Sequence, residues 1–109
     1  MKLVIAIVQD QDAHALQTVL IESGFGVTRL ASTGGFLKDG NTTLLTGVKK
    51  DRVEEVLNLI KENCETRIVT RNTTTSASWG SGVYLPYLVD VKVGGAVVFV
   101  LDVDQFEQF

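Results

Sequence analysis

The sequence predicts an α+β fold in which two helices pack on one face of a β-sheet. With 109 residues, the whole chain 1–109 has the size of a single domain. Apolar β-branched segments alternate twice with segments of helical periodicity. Positions in the first helical segment have counterparts 41 residues later in the second. The matched pairs are Asp10 and Asp51, Leu16 and Leu57, and Val19 and Ile60. Two βαβ halves in tandem predict a ferredoxin-like βαββαβ sandwich, followed by an added C-terminal strand.

The first half begins with Leu3–Val8, an apolar segment rich in β-branching that predicts a buried strand. Asp10 or Asp12 then offers a capping oxygen to the free N–H groups at the start of a helix. Gly24 suits the left-handed conformation that ends many helices, and Val27–Ala31 predicts the second strand. The stripe of this helix consists of Leu16, Val19, Leu20 and Ser23.

The second half repeats this order. Asn41–Val48 predicts a strand, and Asp51 with Glu54 resembles a capping box at the start of a second helix. Arg67–Thr70 predicts a short strand after that helix. The helical stripe, which is the clearest periodicity in the chain, consists of Val53, Val56, Leu57, Ile60 and Cys64.

Two connections differ in length. Thr33–Gly40 is short and rich in glycine, whereas Thr70–Pro86 is long, polar and punctuated by glycine. Long loops in compact domains are usually functional or disordered. Leu88–Val93 and Ala96–Val103 then predict two strands joined by a hairpin turn at Gly94-Gly95.

The strands are apolar at both alternating positions, most clearly in Leu3–Val8 and Ala96–Leu101. The helices of this fold cover one sheet face only, and a solvated second face would alternate with polar residues. We therefore expect a neighbouring subunit to cover the second face, in an assembly of closed rotational symmetry.

The composition limits the class of function. Ten basic and 13 acidic side chains give a net charge of −3, which disfavours binding of a nucleic acid polymer. A single cysteine excludes an internal disulfide framework. The apolar start reaches Gln9 and Asp10 too soon for a secretory signal, and no run is long enough to span a membrane. We expect a cytoplasmic protein without membrane insertion.

The search for an enzyme finds weak candidates. His14, the single histidine, follows Asp10 and Asp12, and this spacing is more typical of an exposed helix start than of a metal site. Cys64 falls on the core stripe of the second helix, which predicts an inert buried thiol. The acidic residues near the C-terminus are expected to be solvated; they are Asp102, Asp104 and Glu107. No catalytic residue, metal ligand or cofactor is predicted.

The search for a binding site is more productive. The glycines of Thr33–Leu37 allow a ligand to approach the backbone closely, and consecutive N–H groups in such a turn can bind an anion. Phe36 can stack on a planar base, and the Asn41 side chain carries both a donor and an acceptor. The residues alone leave a plain tight connection equally open.

Four segments resemble the PII-like cyclic di-AMP receptors along the whole chain. They are Thr28–Thr43, Ile5–Asp12, Val93–Val100 and Asp104–Phe109. The resemblance implies a homotrimer of ferredoxin-like protomers that bind cyclic di-AMP in pockets between subunits, without enzymatic activity. It also implies a signal-transduction receptor that relays the second messenger's level through mobile loops to an unknown protein partner.

The resemblance also implies the ligand-binding residues. They are Thr28, Gly35, Phe36, Leu37, Asn41, Gly47, Phe99 and Gln108. Thr28 would lie near the phosphates, Asn41 would bind a base, and Gly47 would offer its backbone. Read without the resemblance, Phe99 could pack in an interface and Gln108 could belong to a frayed terminus. One departure concerns the family's common arginine two residues before Thr28, which is replaced here by Gly26.

Two other functions remain open from the sequence. A PII-like sensor of ATP or ADP would need a basic cluster for the triphosphate, and none is evident. A small ferredoxin-like enzyme would use His14 as a base, which requires that His14 lie in a pocket.

Overall fold

A computed structural model describes residues 1–32, 40–75 and 85–109 of the chain. It contains two helices and six strands in these ranges, in the order β-α-β-β-α-β-β-β. The strands are β1 (Lys2–Gln9), β2 (Thr28–Ser32), β3 (Asn41–Val48), β4 (Arg67–Thr75), β5 (Leu85–Val93) and β6 (Ala96–Asp102). The helices are α1 (Asp10–Glu22) and α2 (Val53–Cys64), the latter preceded by a 3-10 turn at Lys50–Arg52.

Four strands form an antiparallel sheet in the order β2-β3-β1-β6. Helices α1 and α2 pack side by side against it, so the arrangement is compatible with the predicted ferredoxin-like sandwich. The strand that follows α2 differs from the prediction. It pairs with β5 in a separate two-stranded ribbon, and the last strand, β6, takes the place beside β1.

The predicted hairpin at Gly94-Gly95 is wrong. β5 pairs with β4 and β6 pairs with β1, so the two glycines redirect the chain from the ribbon to the sheet. Both have positive φ angles, of 85° and 102°. A Cβ atom on Gly94 would lie 2.5 Å from the carbonyl oxygen of Glu65, so the turn also approaches the end of α2 too closely for a side chain.

The predicted long loop Thr70–Pro86 is strand at both ends. β4 continues to Thr75 and β5 begins at Leu85. The threonine-rich sequence of β4 suits an extended chain, because branching at Cβ favours strands. Residues 76–84, and residues 33–39 of the short connection, lie outside the described residues.

The core lies between the helices and one sheet face. Leu16 and Leu20 of α1 and Val56 and Ile60 of α2 are almost completely buried there, as the helical periodicity predicts. Cys64 is buried at the end of α2, as predicted. Burying a large aliphatic side chain stabilises the fold by roughly 1.5–3 kcal/mol, so this layer supplies much of the protomer's stability.

The helix starts do not use the predicted caps. Gln9 precedes α1 and Arg52 precedes α2, and neither forms a side-chain cap hydrogen bond. Asp10 is instead the first residue of α1, and Asp51 lies in the 3-10 turn. The end of α1 agrees with its prediction, because Gly24 has a φ angle of 91°.

The register separates the sheet into two faces, since directly opposite residues of antiparallel strands project to the same side. The helix-covered face consists of Val4, Ala6, Val8, Thr42, Leu44, Thr46, Val48, Ala96 and Val98. The other face, here called the open face, includes Leu3, Ile5, Ile7, Gln9, Thr28, Leu30, Asn41, Thr43, Leu45, Gly47, Val97, Phe99 and Leu101. The open face is mostly apolar, as the strand pattern predicts.

Candidate functional site

One row of paired residues crosses the whole open face. Thr28 lies opposite Leu45, Leu45 opposite Ile5, and Ile5 opposite Phe99. Thr28 is exposed, and Phe99 is 41% exposed. With a strand spacing of about 4.8 Å, the two end residues stand about 14 Å apart. The register therefore brings two predicted ligand residues onto one surface but places them at opposite edges.

Gly47 lies in the next row, opposite Leu3, and is exposed. It is two positions along β3 from Leu45, which pairs with Thr28, so Gly47 and Thr28 are diagonal neighbours on the open face. An exposed glycine leaves its backbone accessible to a ligand. The fold thus brings Gly47 and Thr28 together on the open face.

Asn41 lies at the other end of β3, opposite Gln9 of β1 and Ser32 of β2. It is only 6% exposed. Six residues of extended strand separate Asn41 from Gly47, a distance of about 20 Å. The two residues therefore cannot contact the same half of a dinucleotide from within one protomer.

The remaining predicted residues are placed as follows. Gln108 is exposed in the C-terminal segment that follows β6. Gly35, Phe36 and Leu37 lie outside the described residues, in the connection that ends one residue before Asn41.

Gly26, where the family commonly has arginine, is exposed, and a Cβ atom added to it would meet no atom within 4 Å. The hydroxyl of Thr46 donates a hydrogen bond of 2.7 Å to the Gly26 carbonyl, which holds this segment beside β3. Arg29 lies opposite Leu44, and Thr28 lies opposite Leu45. Arg29 and Thr28 therefore project to opposite faces, as the strand periodicity predicts.

The residues considered for catalysis or metal binding have other surroundings. His14 is exposed on α1, while Asp10 accepts a hydrogen bond from Thr42 and Asp12 pairs with Arg67. Burial raises the pKa of the Cys64 thiol to about 12, with the Asp12 carboxylate adding to the effect. Within residues 1–32, 40–75 and 85–109, no three His, Cys, Asp or Glu side chains are grouped so that they could hold a metal ion.

The acidic C-terminal residues are exposed, as predicted. Asp102 forms an ion pair with Lys2 across the β1–β6 edge, and this ammonium group lowers the pKa of the carboxyl. No helix in the described ranges is both long enough and apolar enough to cross a membrane.

Sequence reasoning did not identify the junction between β1 and α1 as a centre of contacts. The Gln9 side chain accepts hydrogen bonds from the Gly94 N–H, at 2.7 Å, and from Gln11, at 2.9 Å. Gln11 in turn accepts one from Arg71 of the ribbon, at 3.1 Å. A cleft of about 200 Å³ lies here; its lining consists of Gln9, Asp10, Gln11, Gly40, Arg71, Val91 and Val93. The alternation of amides and carboxylates in residues 9–12, directly after a buried strand, was the available signal.

Comparisons with known proteins agree with the resemblance along the whole chain. A solved structure of a functionally unknown protein from Pediococcus pentosaceus ATCC 25745 is 46% identical in sequence, with a TM-score of 0.81. The match covers 99% of this chain and 96% of that one. The family model described as the cyclic-di-AMP receptor matches residues 1–109. The chain therefore belongs to the family of cyclic-di-AMP receptors.

Proposed function

We propose that this protein is a non-enzymatic, signal-transducing receptor whose single domain, residues 1–109, forms a homotrimer. The ligand is cyclic di-AMP, bound in pockets between neighbouring subunits. Membership of the receptor family supports the ligand. The apolar open face supports the assembly, because Leu30, Phe99 and Leu101 are each more than 40% exposed on it. Contiguous apolar surface of this kind is typical of a protein interface.

The spread of the site residues over one protomer is the observation that supports a shared pocket. Thr28 and Phe99 stand at opposite edges of the open face, and Asn41 and Gly47 stand at opposite ends of β3. One bound nucleotide cannot bring these residues together within a single subunit. In a rotationally symmetric assembly, residues from one edge of a subunit can face residues from the other edge of its neighbour, so that both line one pocket.

Each group then has a role that its chemistry allows. The Asn41 amide can both donate to and accept from the edge of an adenine. The Thr28 hydroxyl and the exposed backbone of Gly47 can hydrogen-bond to phosphate or sugar oxygens. Phe36 and Phe99 offer aromatic surfaces for base stacking, which is worth roughly 1–3 kcal/mol per base.

Binding itself is tested by calorimetric titration of the intact protein with cyclic di-AMP, ATP, ADP and AMP under identical conditions. We expect cyclic di-AMP to bind far more tightly than the mononucleotides. Asn41→Ala should weaken its binding by about 1–3 kcal/mol, because a buried base edge loses its partner. Tighter binding of ATP or ADP would instead support a mononucleotide sensor.

The shared pocket is tested with mixed trimers. Asn41→Ala and Phe99→Ala protomers, carrying different tags, are refolded together in equal amounts, and mixed trimers are isolated by sequential tag purification. If the two residues reach a pocket from different subunits, one of the three interfaces in each mixed trimer regains both residues. Recovery of that fraction of tight sites is expected. No tight sites in the mixture would place Asn41 and Phe99 on the same subunit's side of the pocket.

The β4–β5 ribbon is the region that we propose to relay the ligand state to a partner. Its base is tied to the β1–α1 junction, where Arg67 pairs with Asp12 at 2.7 Å and Arg71 donates to Gln11. The same junction contacts Gly40 and Thr42, on either side of Asn41. A change at the ligand segment therefore reaches the ribbon through directly bonded neighbours.

A further inference from the structure

Asp10 binds the chain on both sides of Asn41. Its backbone N–H donates a hydrogen bond of 3.0 Å to the carbonyl of Gly40. Its carboxylate Oδ1 accepts a hydrogen bond of 2.6 Å from the hydroxyl of Thr42. Asn41, the residue enclosed by these two contacts, is the first residue of β3. Asn41 is also in the last pair of both ladders, opposite Gln9 and Ser32. The two contacts from Asp10 therefore add to the strand pairing at the point where that pairing ends.

The contact with Thr42 is buried on the Thr42 side. Thr42 is 3% exposed and faces the helices, opposite Val8, whereas Asp10 is exposed. A hydrogen bond from a hydroxyl to a carboxylate is short and comparatively strong, because one partner is charged. Thr42 and Asn41 are consecutive in a strand, so their side chains project to opposite faces. Asp10 therefore contacts the segment on the helix-covered face, through Thr42, whereas the Asn41 side chain projects to the opposite face, where we propose that the ligand binds.

The contact with Gly40 leaves no room for a side chain there unless the Asp10 carboxylate moves. A Cβ atom built on Gly40 would lie 2.5 Å from Oδ2 of Asp10. The φ angle of Gly40 is not in the left-handed region, so the position of this carboxylate, and not the backbone conformation, is what a side chain would disturb. The missing Cβ is what allows the carboxylate to lie against the backbone between Gly40 and Thr42.

We propose that Asp10 is a positioning residue that holds Asn41 ready for the adenine edge of cyclic di-AMP. This inference rests on the proposed function, in which Asn41 binds the base. Fixing a binding group before the ligand arrives raises affinity, because less conformational entropy is lost on binding. Asp10 acts through Asn41 and touches no ligand atom itself.

The chain offers a matched control in Asp12. Both carboxylates lie in the first turn of α1, where each interacts favourably with the helix dipole. Asp12, however, pairs with Arg67 of the ribbon, with Nη2 to Oδ1 at 2.7 Å. The Asp12→Ala variant therefore removes a carboxylate from the same helical turn but leaves the contacts of the Gly40–Thr42 segment in place.

The experiment is a double-mutant cycle on cyclic di-AMP affinity, measured by calorimetry on trimeric protein. The variants are Asp10→Ala, Asn41→Ala and the double variant, with Asp12→Ala as control. We expect Asp10→Ala to weaken binding by about tenfold, since contacting residues show coupling of this order. The double variant should bind no more weakly than Asn41→Ala alone. Asp12→Ala should stay within about twofold of the parent protein, as expected of sites without shared partners.

Two further variants perturb the same contact from the other side. Gly40→Ala pushes the carboxylate away while its charge is kept, and Thr42→Val removes the donor hydroxyl. Both should weaken binding in the parent protein and have no added effect in the Asn41→Ala background. Asp10→Asn keeps an oxygen acceptor for Thr42 and should retain most of the affinity.

Amide hydrogen exchange at Asn41 and Thr42, followed without ligand, gives a readout that does not depend on affinity. Asp10→Ala should accelerate exchange there, whereas Asp12→Ala should not. Unchanged exchange, additive effects in the cycle, or equal weakening by Asp12→Ala would each overturn the positioning role. If the parent protein does not bind cyclic di-AMP, or if Asn41→Ala binds normally, the proposed function fails and this role fails with it. In that case, accelerated exchange in Asp10→Ala would show that Asp10 does fix the Asn41 segment and that only the proposed function is wrong.

Discussion

The two faces of the four-stranded sheet are built from alternate residues of the same strands, yet they serve different purposes. On β1, Val4, Ala6 and Val8 are buried beneath the helices, whereas Ile5 and Ile7 on the open face stay partly exposed. On β3, Leu44 faces the helices and its neighbour Leu45 faces the open side. The helix-covered face forms part of the protomer's own core. The open face is also apolar, but it does not contribute to that core.

In the proposed assembly, folding buries the first face and association covers the second. The helix-covered face is completed within one chain, so its apolar residues contribute to the protomer's free energy of unfolding. The open face carries predicted ligand residues between apolar ones, with Thr28 and Phe99 in one row with Leu45 and Ile5. A surface of this composition gains most when a second subunit and a ligand cover it together.

The largest contrast is expected from aspartate at adjacent positions of β1. Val4→Asp places a charge in a site that is 0% exposed, which costs several kcal/mol and should abolish folding. Ile5→Asp places the same charge on the open face and should leave a folded protomer that no longer assembles. Circular dichroism reports the fold, and light scattering reports the mass.

Ile68→Asp is the control for this pair, because Ile68 is 72% exposed on the ribbon. It should change neither fold nor mass. A trimer that survives Ile5→Asp would show that the open face is not the subunit interface. Unfolding of Ile5→Asp to the same extent as Val4→Asp would show that both faces are needed for the protomer itself.

The sandwich could be predicted because hydrophobic periodicity reports burial directly. The stripe of Val56, Ile60 and Cys64 and the apolar strand Leu3–Val8 have no polar interruptions, so only a packed arrangement satisfies them. The same reasoning predicted an apolar second face. The pattern does not say which residues belong to which face, and the register turns Val98 toward the helices, beside Ala6.

The ribbon could not be predicted in this way, because contacts distant in sequence determine it. Gly94-Gly95 reads as a hairpin turn locally, but the Gly94 N–H binds the Gln9 side chain and the Gly95 N–H binds the Cys64 carbonyl. These bonds direct β6 to the edge of β1 and leave β5 to β4. No local pattern in the sequence distinguishes this turn from a hairpin.

The site residues stay predictions from the resemblance, and their geometry could not be read from the sequence. The resemblance predicts Thr28, Asn41 and Phe99, while only the strand register shows that they lie far apart on one face. Asp10 was predicted as a helix cap, since an aspartate before a helical stripe usually is one. Its bond with Thr42, 32 residues away, depends on the space left by Gly40 and has no sequence signature.

A second pair of variants compares truncation on the two faces. Leu44→Ala, on the helix-covered face, should lower the free energy of unfolding by about 2–5 kcal/mol through loss of burial and a residual cavity. It should leave affinity for cyclic di-AMP almost unchanged. Phe99→Ala, on the open face, should weaken binding by about 1–3 kcal/mol if the ring stacks on a base.

Urea unfolding and calorimetry on the same two preparations measure both quantities, and light scattering confirms that each is trimeric. Loss of the trimer in Phe99→Ala, with ligand affinity unaffected in the remaining assembly, would make Phe99 a packing residue. Weakened binding in Leu44→Ala would contradict the separation of the two faces.

Gly26 is a position at which a substitution should raise the affinity for cyclic di-AMP. The position is exposed, its Cβ would meet no atom, and its φ angle is not in the left-handed region, so a side chain fits. Gly26→Arg should tighten cyclic di-AMP binding, because a charge-assisted hydrogen bond contributes about 1.5–3 kcal/mol before the entropy of ordering the side chain is subtracted. The gain should shrink with added salt.

Gly26→Gln is the matched control, because it has a long polar side chain without the charge. It should give a smaller gain and little dependence on salt. Calorimetry of the three proteins at low and high ionic strength makes the comparison. Binding by Gly26→Arg that is equal to or weaker than that of the parent protein at low salt would place Gly26 away from the phosphates.

An effect that depends on pH is expected from Cys64, which is buried at the end of α2. Burial raises the pKa of its thiol from the ordinary value of 9.0 to about 12 in the folded protein. Between about pH 9 and pH 12, the Cys64 thiol therefore stays protonated in the folded protein but is deprotonated in the unfolded chain. The resulting stabilisation is complete below about pH 9 and is lost as the pH rises toward 12. The difference in free energy of unfolding between the parent protein and Cys64→Ala should therefore narrow between pH 8 and about pH 10.5, as measured by urea unfolding. Because Cys64→Ala carries every other titrating group, a constant difference would show that the thiol is not desolvated in the folded protein.

The native thiol should also resist alkylation at pH 8, whereas a cysteine introduced on the open face as Ile5→Cys should react once the subunits are dissociated.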